Sequence, residues 1–167
     1  MSTQQTTAVC RSGNGDPFEN GVTYLHRWTI DQKKGAVKEQ TLDDNWIEFP
    51  RVPDRLVGQK YRYSYTAQFS EGDRISGVRK YDMDTSSSTL HDLGESRVGG
   101  EPVFVPSSNL AAEDDGYLLL YVYDESVDTS EFVILDAKNI EQEPLARVYL
   151  PARVPAGFHG SWIADAS

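Results

Sequence analysis

The sequence predicts an all-β fold, arranged either as a partial β-propeller of roughly three blades or as a β-sandwich with regular hairpins. Three observations point there. Tyr, Phe and Trp make up 11% of the 167 residues, a bias toward strands. Tyr61, Tyr63 and Tyr65 alternate with Arg62 and Ser64, the period-two signal of a half-buried strand. A strand ending at Asp, a polar turn and a return strand recur at Asp31, Asp82 and Asp124, which are 51 and 42 positions apart. Propeller blades repeat at about 40–50 residues. Regular hairpins of a sandwich give similar spacing, so the pattern leaves both architectures open.

The elements follow in chain order. Residues 1–20 read as a ragged lead-in, polar at its start and carrying the turn-forming run Arg11-Ser12-Gly13-Asn14-Gly15-Asp16-Pro17. The polar start, with no apolar run behind it, is not a signal peptide. Residues 21–167 form the second unit, of short strands with polar punctuation. Residues 24–30 predict a strand, 31–35 a turn and 36–42 its return. Residues 78–81 lead into the turn 82–88, and the β-rich runs 118–123 and 132–135 flank the polar stretch 124–130. Helix is scarce: residues 110–115 and 136–140 are each long enough for a turn or so.

Composition excludes several functions. A net charge of −10 opposes binding to nucleic acid, because phosphate contacts need clustered Lys and Arg. The single cysteine, Cys10, allows neither an intrachain disulfide nor a cysteine metal cluster, which suits a reducing, cytoplasmic setting. No run of about 18 apolar residues is present to span a membrane. No Gly-x-Ser-x-Gly elbow or phosphate-binding glycine loop is present either.

Five residues remain as candidates for chemistry. His26 alternates with apolar neighbours and is expected to face solvent or a cross-strand partner, and His91 to be an exposed strand residue. His159 lies in Gly157-Phe158-His159-Gly160, where glycines permit close approach to another segment. A tight turn with a partly buried histidine explains the same run. Glu48 and Glu101 are single acids among apolar residues and prolines. Either could turn outward to water, or pair inside with a histidine bound to a metal through its other nitrogen. The run Glu113-Asp114-Asp115 reads as a solvated turn.

Three segments together resemble one family. Glu48-Phe49-Pro50-Arg51, then Gly100-Glu101-Pro102-Val103-Phe104-Val105-Pro106, then Gly157-Phe158-His159-Gly160 look like the C-terminal part of carotenoid cleavage oxygenases. Leu25-His26-Arg27-Trp28-Thr29 adds support, and the likeness runs in order from about Val22 to Trp162. The resemblance implies a seven-bladed propeller with Fe(II) on its axis, held by four histidines, three of them steadied by glutamates. It implies oxidative cleavage of a conjugated double bond in an apolar polyene or stilbene. Carried over, His159 matches the last iron ligand and Glu101 the glutamate that hydrogen-bonds it. Glu48 matches another such glutamate, whose histidine has no counterpart here, and His26 and His91 do not fall at ligand positions. The other ligands and the early blades would precede residue 1, which implies a shortened reading frame, a split gene or a decayed copy. The expected partner is then a chain bearing the missing blades, with peripheral membrane contact allowed by family habit. One imidazole cannot hold iron firmly, so the chain alone is expected to lack appreciable turnover.

Overall fold

The computed structural model describes residues 4–12 and 22–164, the first group as backbone alone. Among the described residues, twelve strands form three antiparallel sheets. The first sheet has the order β1 (Gln4–Ser12), β2 (Thr23–Asp31), β3 (Ala36–Thr41). The second runs β4 (Ile47–Arg51), β5 (Tyr63–Ser70), β6 (Arg74–Asp82), β7 (Ser87–Asp92). The third comprises β8 (Arg97–Gly99), β9 (Val103–Pro106), β10 (Gly116–Asp124), β11 (Thr129–Asp136) and β12 (Ala146–Tyr149). Both β8 and β9 pair with β10, so they act as one interrupted edge strand. Each sheet is a meander of sequence neighbours, which a Greek-key sandwich does not produce and successive propeller blades do. The architecture is therefore a partial propeller of three blades.

Two of the elements differ from the sequence expectation. Residues 4–12, read as part of an irregular lead-in, pair with β2 from Gln4↔Asp31 to Ser12↔Thr23. A ladder is built from backbone groups and needs no period-two side-chain pattern. Residues 110–115 and 136–140 are turns; the one helical element among the described residues is a short 3-10 turn, Asp54–Leu56. No helix among the described residues is long and apolar enough to cross a membrane.

The three Asp-marked hairpins share one construction. Asp31 pairs with Ala36, Asp82 with Ser87 and Asp124 with Thr129, leaving four-residue loops. In each, the Asp Oδ1 accepts the N–H two residues on, at 3.0 Å from Lys33, Asp84 and Ser126. The residue before the return strand is left-handed in all three: Gly35, Ser86 and Asp128. Their places in the sheets are not equivalent, however. β2–β3 and β6–β7 are the last two strands of their blades, whereas β10–β11 lies mid-blade. The spacing of 51 is a blade repeat; the spacing of 42 is not.

Between the second and third sheets lies the main core, in which Tyr65 and Val78 meet Phe104, Leu118, Leu120, Val133 and Leu135. The first and second sheets share a smaller cluster of Leu25, Ile47 and Tyr81. His91 is buried, not exposed: Nδ1–H donates to the Ile140 carbonyl at 2.7 Å. Its alternation points it at the third sheet, not at water. His26 is also buried, beside its cross-strand neighbour Thr41, with Glu39 at 3.4 Å and Trp28 at 4.4 Å between ring centroids. The acidic run is not simply solvated either. Asp114 pairs with the buried Lys80 at 2.8 Å, and Glu113 accepts the N–H groups of Arg62 and Tyr63, tying the second blade to the third.

Candidate metal-ligand site

The candidate site forms where the edge strands of the second and third sheets meet the C-terminal segment. On β4, Glu48 pairs with Ala67 and Arg51 with Tyr65, so three steps on β4 match two on β5. This is a one-residue bulge. Phe49, inside it, has φ +54° and precedes proline, an uncommon conformation for such a residue. Directly opposed residues share a face, and Tyr65 stacks on Phe104 of the third sheet. The bulge thus turns both Glu48 and Arg51 toward the third sheet, although their odd separation in a regular strand would place them on opposite faces.

Glu101 sits in the gap between β8 and β9. Gly99 allows the approach: a Cβ there would lie 2.8 Å from Leu93 Cδ1. The Glu101 side chain is only 4% exposed, and a carboxylate so buried needs partners. Arg51 Nε donates to its Oε1 at 2.8 Å, and the Gly160 N–H donates to its Oε2 at 2.7 Å. The Arg51 guanidinium also donates to the Gly160 carbonyl. His159 Nδ1 lies 3.4 Å from Oε2, and Phe49 meets the imidazole edge-on, with 5.4 Å between centroids.

The segment 150–164, after β12, belongs to no ladder. Ser130 holds its start, its carbonyl accepting the Leu150 N–H and its Oγ the Val154 N–H, each at 2.9 Å. Arg153 lies over the Tyr123 ring at 4.3 Å. Gly160 holds its far end, packed so that a Cβ would come within 3.2 Å of Val103. Gly157, by contrast, has nothing near it, so close approach explains only one of the two glycines.

Of the sequence candidates, His159 and Glu101 are brought together. Glu48 stands apart: its Oε2 accepts the Phe49 N–H at 3.0 Å, and no histidine among the described residues contacts it. The His159 side chain is 76% exposed. With Nδ1 turned to Glu101, its Nε2 is the nitrogen available to a metal. Among the described residues no three His, Cys, Asp or Glu side chains converge as a metal site requires. His159 therefore fits one corner of such a site. Sequence reasoning missed Arg51 and Phe49. The signal was in Glu48-Phe49-Pro50-Arg51, where a proline in a strand marks an edge or bulge, but the flip of Arg51 is a register effect.

Fold and site together define a share of a β-propeller that presents one carboxylate-oriented imidazole at the meeting of two blade edges. The chain belongs to the retinal pigment epithelial membrane protein family, whose model matches residues 2–164. It is 40% identical over 145 residues to a carotenoid cleavage oxygenase of Mycobacterium tuberculosis, covering 83% of this chain and 28% of that protein. Among solved structures, cobalt-substituted apocarotenoid oxygenase of Synechocystis superposes with a TM-score of 0.81 at 34% identity. That match covers 86% of this chain and 31% of the other. A lignostilbene dioxygenase of Pseudomonas brassicacearum gives 0.80 at 29% identity, covering 86% and 33%. The chain spans about 30% of the length of the curated relatives it matches.

Proposed function

We propose that the chain supplies the last ligand, His159, to the Fe(II) site of a non-haem dioxygenase that cleaves a conjugated C=C bond of a carotenoid, apocarotenoid or stilbenoid to two carbonyl products. The observation that carries this reading is the 3.4 Å approach of His159 Nδ1 to the buried, doubly anchored Glu101. A metal-bound imidazole oriented by a carboxylate through its other nitrogen has this arrangement. Family membership and the cobalt held by the Synechocystis relative support the metal. Bound iron would supply the dioxygen chemistry. The chain's own residues fix the imidazole: Glu101 sets its orientation, and Phe49 limits its swing. Glu48 has the same role toward a histidine supplied from outside these residues. The apolar polyene or stilbene would lie in a tunnel formed largely by other blades, and peripheral membrane contact would deliver it.

The test grafts residues 22–167 in place of the matching segment of the Synechocystis enzyme. The graft should bind stoichiometric iron and cleave an apocarotenoid, and His159→Ala should abolish turnover and lower iron content. Unchanged iron and turnover in that variant refute the assignment. The 167 residues alone should neither bind iron tightly nor turn over; if they did both, the need for outside ligands would be wrong.

A second reading, a non-catalytic blade module that pairs with a partner, is favoured by the open face of the third sheet, where Tyr117, Tyr121 and Val148 are exposed. Under it, His159→Ala changes nothing.

A further inference from the structure

We propose that Arg51 is a positioning residue for His159, clamping the Glu101 carboxylate and the Gly160 carbonyl so that the chain is pinned at the residue immediately after the imidazole. The consequence for metal binding rests on the reading of His159 given above; the clamp itself does not.

In a regular strand, with no bulge to absorb the odd residue, Arg51 would project to the face opposite Glu48, away from the third sheet. The bulge, with Phe49 left-handed before Pro50, reverses this. A non-glycine residue in that conformation persists only where its surroundings enforce it. Here the enforced result is one guanidinium reaching two segments that are remote in sequence from β4.

Its two bonds are different in kind. Nε occupies Glu101 Oε1, so the other oxygen, Oε2, is the one left for the Gly160 N–H and the imidazole. Arg51 thereby selects which carboxylate oxygen faces His159. The second bond, to the Gly160 carbonyl, fixes the peptide unit after Gly160 while Glu101 fixes the one before it. His159 is the immediate predecessor of a residue pinned at both its N–H and its C=O. No strand ladder holds this part of the chain, and the next hydrogen-bonded anchor back along it is Val154 on Ser130. A planar fork can serve two acceptors at fixed angles; an ammonium on a flexible stem holds them less well.

The test uses the full 167-residue chain without metal, read by NMR. In Arg51→Met the Gly160 amide should exchange about tenfold faster or more, as a local opening would produce. The His159 ring protons, shifted by the edge-on Phe49, should move toward free-histidine positions. Amides of Leu118 and Val133 in the main core should keep their protection. Arg51→Lys should restore part of the Gly160 protection and part of the His159 shift. Unchanged Gly160 exchange and unchanged His159 shifts in Arg51→Met overturn the proposal. So does uniform loss of protection through the core in both variants, which would make Arg51 a general structural residue. If Arg51→Met does not fold, Arg51→Lys decides by the same two signals. Failure of the metal reading looks different: His159→Ala in the grafted enzyme would leave metal content unchanged while the Arg51 effects on the free chain persist.

Discussion

Tyr65 joins two blades with a single side chain. It is fully buried, lies parallel to Phe104 with 5.6 Å between centroids, and donates its hydroxyl to the Ala137 carbonyl at 3.0 Å. Burial pushes the phenol far above the ordinary tyrosine range, so it stays neutral and a donor. Tyr65→Phe keeps the stacking and strands a buried carbonyl, which should cost about 1–3 kcal/mol in urea unfolding. His91, packed against the same interface, has its pKa lowered, chiefly by burial. A histidine depressed in the folded state favours unfolding when protonated. Its contribution is therefore complete above the unfolded value of about 6.5 and is lost as pH falls below it. Stability measured from pH 7.5 to 5 should drop more steeply in the native protein than in His91→Gln.

Among the elements, the interrupted edge strands matter most. Gly99 ends β8 against Leu93 and Ile75, and Gly99→Ala should overpack that contact at a cost of about 1–3 kcal/mol in thermal or denaturant unfolding. Because Glu101 follows two residues later, the same change should also raise exchange at the Gly160 amide. The blades differ in how they are held. The second and third share an extensive apolar core, whereas among the described residues the first is joined to the second by a small cluster around Leu25, Ile47 and Tyr81, and all of β3 is exposed. Ser64 Oγ and Thr66 Oγ1, buried with no hydrogen-bond partner among the described residues, lie on the face of β5 opposite Tyr65, toward the first sheet. Amides of β2 and β3 should accordingly exchange well before those of β10 and β11.

The molecule as a whole presents an uncovered flank. On the face of the third sheet turned away from the core, Tyr121 stands between Phe132 and the edge, its ring 5.2 Å from that of Phe132, and Val148 is Phe132's partner on β12. Such a surface associates when it can. The net charge of −10 opposes this at low ionic strength, and salt screens that repulsion. Sedimentation velocity should therefore show association that grows with protein concentration and salt. Replacing Tyr121 and Phe132 together by Lys should suppress it, and persistence in that variant would place the association elsewhere.

Alternation of Tyr61 to Tyr65, the Asp-led hairpins and the strand-rich composition determined by themselves that this chain is all-β, because those signals are local: a period of two, a carboxylate accepting nearby N–H groups, a residue tolerant of left-handed φ. Motif order carried the family, and with it the pairing of Glu101 with His159. Tertiary structure alone decided that His26 and His91 are buried, that residues 4–12 extend a blade, and that Arg51 belongs to the site. Each of these depends on which strand lies opposite and in what register. A bulge in β4 reverses the direction that a regular strand would give one side chain, and no periodicity along a single strand records what its neighbour across the sheet will be.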